Sequence, residues 1–132
     1  MIVLDTNALI WLFFDDGKLG RTARRAIDEA WSNGNVAVSA ISFWEIALLH
    51  EKGRMELETD FTIWRTSLFQ AGLQEIAVDG AIGIKAVQLP DFHKDPADRI
   101  IVATALDDHR LVTADERILQ WPGNLRCLDA RK

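Results

Sequence analysis

Two acidic residues each follow directly after a short apolar segment. Asp5 comes after Ile2–Leu4, and Asp115 comes after Leu111–Ala114. Short apolar runs of this kind are typical of buried strands in a parallel sheet. Ligands of such sheets bind beyond the carboxyl ends of the strands, so both carboxylates are candidates for a site there. Each is equally suited to cap the helix that would follow its strand.

Glu45 lies among apolar neighbours at helical spacing. Ile41 and Leu49 fall on its face of a predicted helix. Burial of an unpaired carboxylate on an apolar face costs several kcal/mol of free energy. The carboxylate therefore needs a cation, a metal ion or hydrogen-bond donors. A capping box with Ser42 would supply backbone donors, whereas a cap at Ser39 would place Glu45 in the second turn, beyond their reach.

Asp98 has the same character as Glu45. Val102 shares its helix face, Asp95 is a natural N-cap, and Pro96 fits the first helical position. Asp98 then falls in the first turn, where the helix dipole favours an acid by roughly 0.3–1 kcal/mol. A purely structural role is therefore open for Asp98 as well.

The strand ends and helix starts that carry these four acids can converge on one edge of a parallel sheet. Several carboxylates gathered there would repel one another and raise each other's pKa values. A divalent cation removes that conflict, and Mg²⁺ or Mn²⁺ prefers oxygen ligands. Zinc is not indicated, because the three histidines are scattered and Cys127 is the only cysteine. The pattern predicts metal-assisted chemistry on phosphate esters.

Short apolar strands that alternate with helices position these acids. Strands are expected at 2–4, 36–38, 73–78, 111–113 and 125–128. Helices are expected at 8–14, 21–33, from Ser39 or Ser42 to 53, 60–71, up to 87, 95–108 and 115–121. The fold class that follows is α/β, with three α/β/α layers around a central, mainly parallel sheet of four to five strands.

Length and composition limit the classes of protein to be considered. The 132 residues suit one domain, and 48% apolar with 27% charged residues excludes a disordered chain. The apolar runs are far shorter than the ~20 residues of a membrane span. No signal peptide is predicted, and a lone cysteine fits a reducing compartment, so a cytoplasmic location is expected. A net charge of −5 argues against nucleic-acid binding by a broad basic surface.

Four segments resemble the motifs of PIN-domain nucleases, in that family's order. They are Ile2–Leu12, Val38–Ala47, His93–Ala105 and Leu111–Ile118. Together they span nearly the whole chain, so the resemblance implies a single PIN domain over residues 1–132 with a PIN-like fold. The compact length and the motif variants resemble the VapC type, the toxin of a type II toxin-antitoxin pair.

The resemblance assigns roles to individual residues. It implies an acid quartet of Asp5, Glu45, Asp98 and Asp115, with Asp5 and Asp98 as the main ligands of Mg²⁺, for which Mn²⁺ can substitute. Glu45 would bind the metal directly or through water, and either Asp115 or its neighbour Glu116 would complete the site. Thr6, Asn7 and Thr113 would orient carboxylates or water.

The resemblance also implies a substrate and partners. The substrate would be structured cellular RNA, with tRNA or rRNA as the expected targets, cut in a single-stranded region. A cognate antitoxin would inhibit the enzyme by presenting an arginine-bearing segment to the acidic pocket. A homodimer, or a larger toxin-antitoxin assembly, is expected from the family alone.

Some basic residues are candidates for contacts with RNA phosphates. They are Lys18 and three arginines of the helix predicted at 21–33, Arg21, Arg24 and Arg25, for which a solvated helix face is the alternative. Arg99 lies beside Asp98, and either pairs with an acid or approaches phosphate.

Three other functions compete with the toxin ribonuclease. A housekeeping PIN nuclease for RNA processing would carry the same motifs. A response-regulator receiver also places acids at strand ends, but it needs paired acids after the first strand, where Asp5 stands alone. A non-catalytic binding module on the same scaffold would lack Mg²⁺-dependent cleavage.

Overall fold

The computed structural model describes residues 1–132 and contains five strands and seven helices. In chain order they are β1 (Ile2–Leu4), α1 (Thr6–Phe13), α2 (Arg21–Ser32), β2 (Val36–Ser39), α3 (Ile41–Glu51), α4 (Phe61–Gln70), β3 (Gln74–Ile76), α5 (Gly80–Val87), α6 (Pro96–Ala105), β4 (Arg110–Thr113), α7 (Glu116–Leu119) and β5 (Arg126–Asp129). None of these helices combines the length and the apolar character that crossing a membrane requires.

All five strands are parallel and lie in the order β3-β2-β1-β4-β5. Leu4 of β1 is opposite Val38 of β2 and Val112 of β4. The chain therefore adds β2 and β3 on one side of β1 and then β4 and β5 on the other. This reversal creates a crevice at the carboxyl ends of β1 and β4, where α/β sheets bind ligands.

Helices cover both faces of the sheet, which confirms the predicted three-layer α/β/α class. One core packs Leu4 and Val38 against side chains of α1 to α4, including the buried Trp64. The other core packs Val3 and Leu111 against α6 and α7 and the segment that precedes α6. Neighbouring residues of β1 thus face opposite cores, as strand geometry requires.

All predicted strands and helices are present, with ends that differ by a few residues. The first helix begins at Thr6 rather than at residue 8, because Asp5 is its N-cap. The third strand covers only Gln74–Ile76 of the expected 73–78. The residue that precedes α3 is Ala40, but the Ser39 hydroxyl accepts from the Ile41 N–H at 3.3 Å, so the predicted Ser39 does bond the first turn of the helix, whereas Ser42 lies within it.

Candidate metal centre

The carboxyl ends of β1 and β4 bring Asp5 and Asp115 to the same edge of the sheet. Asp5 directly follows β1, and Asp115 follows β4 by two residues. Thr113, the last residue of β4, links the two loops. Its hydroxyl donates to the Asp5 carboxylate at 2.5 Å and accepts from the Asp115 N–H at 3.1 Å.

Two helices supply Glu45 and Asp98 to the same crevice. Glu45 lies on α3, which follows β2, and Asp98 lies in the first turn of α6, which packs against α3. All four acids of the predicted quartet line one cavity of about 520 Å³. Asp95 is a fifth acid in its wall, so the cavity is strongly acidic.

Asp5 is almost fully buried and has a structural role in addition to its place in the cavity. One carboxylate oxygen accepts from the Ala8 N–H at 2.8 Å and so caps α1, while the other accepts from Thr113. Burial raises the pKa of Asp5 to about 6, although both hydrogen bonds act to lower it. The charged form of this carboxylate is therefore costly unless a cation is near.

Glu45 obtains its hydrogen-bond partner from α1. The Thr6 hydroxyl donates to the Glu45 carboxylate and also contacts the Ser42 hydroxyl at 3.0 Å. Because Ala40 is the N-cap of α3, Glu45 is not part of a capping box with Ser42. Burial raises the pKa of Glu45, the Thr6 hydroxyl opposes that shift, and the charge of Asp95 adds to it.

Asp98 has two basic side chains beside it. Its Oδ2 is 3.3 Å from Nε2 of His93 and 3.5 Å from Nη2 of Arg117. Burial, followed by the charges of Asp95, Asp115 and Glu45, raises its pKa to about 7, and Arg117 only partly offsets this. The pKa of Asp98 is therefore raised further than that of Asp5, and a nearby cation would stabilise its charged form.

Asp115 differs from the other three acids because a cation already neutralises it. It caps α7 through the Arg117 N–H at 2.8 Å, and the Arg117 guanidinium lies 3.0 Å from its other oxygen. Burial would raise the pKa of Asp115, but these hydrogen bonds and the charge of Arg117 lower it overall. The neighbouring Glu116 is half exposed and pairs with Arg131 at 2.5 Å, so only Asp115 of the two lines the cavity.

Several groups in the cavity were not predicted from the sequence as site residues. Asp95 was interpreted only as a helix cap, which it is, through the Ala97 and Asp98 N–H groups. Lys52 and Arg54 also line the cavity, whereas His93 and Arg117 lie beside it, within 3.5 Å of Asp98. His93 and Asp95 lie inside the third motif, which was the available signal. No comparable signal marks Lys52 and Arg54, which follow the end of α3.

The basic residues proposed from sequence do not line this cavity. Arg21 and Arg25 are exposed on α2, and Arg24 pairs with Asp15 at 3.1 Å. Arg99 neither pairs with an acid nor faces the crevice as a free cation. Its guanidinium donates to backbone carbonyls at the end of α5 and before α6: Ala86, Val87, Phe92 and His93. The expectation that Arg99 contacts RNA is therefore not supported by its position.

The donor set fits a divalent metal ion. Carboxylate oxygens of Asp98 and Asp115 and a ring nitrogen of His93 all lie within 4.8 Å of one another. Asp5 and Glu45 add further oxygen donors from the same cavity, and Asn7 is exposed at its wall. Oxygen-rich sites of this kind suit Mg²⁺ and Mn²⁺, and a cation would offset the burial and the repulsion that together raise the pKa of Asp98.

Comparison with known proteins identifies the family. The sequence model described as "PIN domain" matches residues 2–123. The chain belongs to the PIN domain family. It is also 34% identical over 119 residues to "Ribonuclease VapC22" of Mycobacterium tuberculosis (strain ATCC 25618 / H37Rv), which covers 89% of this chain and 88% of that relative. The predicted resemblance to VapC-type PIN nucleases is thereby confirmed.

Solved structures share the fold of this PIN domain over nearly its full length. A toxin-antitoxin complex from Klebsiella pneumoniae contains a chain with 26% identity and a TM-score of 0.65, covering 98% of both chains. VapBC2 from Rickettsia felis, bound to a DNA fragment from its promoter, matches with a TM-score of 0.67 at 17% identity, covering 97% of this chain and 98% of that one. The second likeness concerns the fold alone.

Proposed function

We propose that this PIN domain is a Mg²⁺-dependent endoribonuclease and the toxin of a toxin-antitoxin pair. The observation that carries the proposal is the convergence of Asp5, Glu45, Asp98 and Asp115 on one acidic cavity. The proposal is also supported by the 34% sequence identity between this chain and a VapC ribonuclease. We propose that residues 1–132 act as one domain, in the cytoplasm.

Asp5 and Asp98 are proposed as the main metal ligands, with Glu45 and Asp115 completing the set. When bound, a divalent ion lowers the pKa of a water molecule and offsets negative charge on a phosphate. We expect Mn²⁺ to substitute for Mg²⁺, because both ions accept carboxylate ligands.

The side chains around the ligands hold them in place. Thr113 and Thr6 donate hydrogen bonds to Asp5 and Glu45, which fixes the direction of both carboxylates. A cavity carboxylate orients a water molecule for attack and accepts its proton. Lys52 and Arg54 lie in the same wall, where they contact the phosphates of a bound strand.

The proposed substrate is structured cellular RNA, cut in a single-stranded region, with tRNA or rRNA as the expected targets. The acidic cavity and the net charge of −5 give little electrostatic attraction for a polyanion without metal. We therefore expect weak RNA binding in EDTA and stronger binding when a divalent ion is present.

An antitoxin is the proposed protein partner. A chain of the toxin-antitoxin complex from Klebsiella pneumoniae aligns over 98% of this one. An arginine side chain of such a partner would pair with the cavity carboxylates in bidentate geometry and exclude the metal. We propose a homodimer, or a larger assembly with the antitoxin, as the state in the cell.

Cleavage of a pool of small structured RNAs tests the proposal. Wild-type protein should cut RNA in Mg²⁺ or Mn²⁺ and not in EDTA, and single-stranded DNA of the same length serves as the second substrate. Asp98→Asn protein, purified in the same way, controls for contaminating nucleases. Equal cleavage by both proteins, or none by either, would contradict the proposed nuclease activity. A non-catalytic binding module would then be the remaining function.

A further inference from the structure

Arg117 occupies the space between two of the proposed metal ligands. Its Nη2 lies 3.0 Å from Oδ2 of Asp115 and 3.5 Å from Oδ2 of Asp98. Its Nε lies 3.3 Å from the other Asp115 oxygen. The guanidinium thus neutralises carboxylates that converge from α7 and α6, two elements that the sheet brings together.

The guanidinium of Arg117 is held by fewer groups than those of Arg99 and Arg131. Its side-chain hydrogen bonds go to Asp115 alone, and 60% of its side chain is exposed. Arg99, in contrast, is fixed by backbone carbonyls from two segments, and Arg131 bridges Asp129 and Glu116. Arg117 can therefore leave its position without breaking contacts within the core.

We propose that Arg117 is the resident counter-ion of the metal-free site, and that a divalent ion binding to Asp98 and Asp115 displaces it. This inference rests on the proposed function. A guanidinium and a divalent cation repel each other and compete for the same carboxylate oxygens. Arg117 consequently holds the two acids together before metal arrives and raises the metal concentration at which the site fills.

A simple surface ion pair is the alternative role for Arg117. In that case the pair only stabilises the start of α7, and removing it changes metal binding no more than removing any nearby positive charge. Lys52 provides this comparison, because it lines the same cavity without pairing with Asp98 or Asp115. Arg126 provides a second comparison, because its side chain is 64% exposed and its partner is Asp108, an acid outside the cavity.

Calorimetric titration with Mn²⁺ tests the inference without depending on RNA cleavage. At about pH 8, above the pKa of about 7 for Asp98, that carboxylate is ionised. Arg117→Gln should lower the Mn²⁺ Kd by roughly two- to tenfold, as expected for the loss of one competing ion pair. Lys52→Gln should lower it less, and Arg126→Gln should leave it unchanged. Arg117→Lys, which keeps the charge without the planar fork, should fall between wild type and Arg117→Gln.

Three outcomes would overturn the inference. An equal decrease of the Kd for Arg117→Gln and Lys52→Gln would show an effect of charge at a distance. Weaker Mn²⁺ binding by Arg117→Gln would show that the guanidinium positions the ligands instead of competing for them. Absence of Mn²⁺ binding by wild-type protein would contradict the proposed function itself, whereas the first two outcomes leave that function intact.

Discussion

The ionised forms of Asp5 and Asp98 are costly in the metal-free fold. Burial and neighbouring acids raise their pKa values to about 6 and about 7, respectively. Each carboxylate is held in place by the fold, through a helix cap, a threonine or a neighbouring helix. The site therefore keeps a shape that suits a cation even when no cation compensates the charge.

The first prediction concerns the stability of the metal-free protein. Because the folded-state pKa of Asp98 is raised from 3.8 to about 7, the folded chain binds more protons than the unfolded chain between these pH values. The contribution of Asp98 to stability is therefore lost as the pH rises through this window. Asp98→Asn should match wild type near pH 4 and exceed its unfolding free energy at pH 8 in EDTA.

Urea unfolding at several pH values measures this difference. The comparison between variants matters because the lowered pKa values of His93 and His109 act in the opposite direction in part of the same window. Asp108→Asn is the matched control, since the Asp108 side chain is 99% exposed. A constant difference between Asp98→Asn and wild type from pH 4 to pH 8 would contradict the account.

The second prediction concerns metal binding and protons. Mg²⁺ should raise the melting temperature of wild-type protein at pH 8, because it binds the folded state only. The increase should shrink at pH 5, where Asp98 and Asp5 are protonated and protons compete with the metal. Thermal melts with Mg²⁺ and with EDTA measure both effects. The same stabilisation of Asp98→Asn and wild type by Mg²⁺ would place the metal elsewhere.

The third prediction isolates the Thr113 hydroxyl. Its hydrogen bond lowers the pKa of Asp5, so Thr113→Val should raise that pKa above its value of about 6. Thr113→Ser keeps the hydroxyl and should leave the pKa close to wild type. Carboxyl ¹³C chemical shifts followed against pH in EDTA give the value directly. If Asp5 has the same pKa in Thr113→Val and Thr113→Ser, the Thr113 hydroxyl does not lower it.

At the scale of elements, Arg99 connects α6 to the end of α5. The fourth prediction is that Arg99→Lys lowers the unfolding free energy by about 1.5–3 kcal/mol, because lysine cannot reproduce several charge-assisted bonds to carbonyls. Arg25→Lys, on the exposed surface of α2, should change it by less than about 0.5 kcal/mol. Urea midpoints measure both variants, and equal midpoints would contradict this role.

Helix caps explain why the sequence predicted much of this edge of the sheet. Asp5, Asp95 and Asp115 cap α1, α6 and α7 and also line the cavity. For Asp5 and Asp115 the sequence leaves a cap and a site residue as alternatives, but one carboxylate has oxygens for both. Local spacing was enough to find them, because each directly follows a strand or precedes a helix.

The features that sequence could not predict depend on contacts between distant segments. The direction of Arg99 is set by carbonyls of α5, and the position of Arg117 is set by the approach of α6 to α7. The partner of Glu45 is Thr6, 39 positions away. These contacts form only when the distant segments pack together in the fold, so no local sequence pattern predicts them.

At the scale of the whole molecule, the strand order distinguishes this protein from a receiver domain. The order here is 3-2-1-4-5, whereas flavodoxin-like folds such as receivers have 2-1-3-4-5. The alternation of strands and helices predicted the layers but not this order. The charged residues are unevenly distributed over the molecule. Five acids and only two cations line the cavity, and the arginines of α2 lie outside it.

We propose that four carboxylates from separate elements form one catalytic metal site. The most direct measurement is the rate of Mg²⁺-dependent cleavage of one RNA reporter by Asp5→Asn, Glu45→Gln, Asp98→Asn and Asp115→Asn. We predict a loss of about 100-fold or more for Asp5→Asn and Asp98→Asn, and a clear loss for the other two. Glu116→Gln and Asp108→Asn should keep the wild-type rate. Wild-type rates in Asp5→Asn and Asp98→Asn, with folding intact, would contradict the claim.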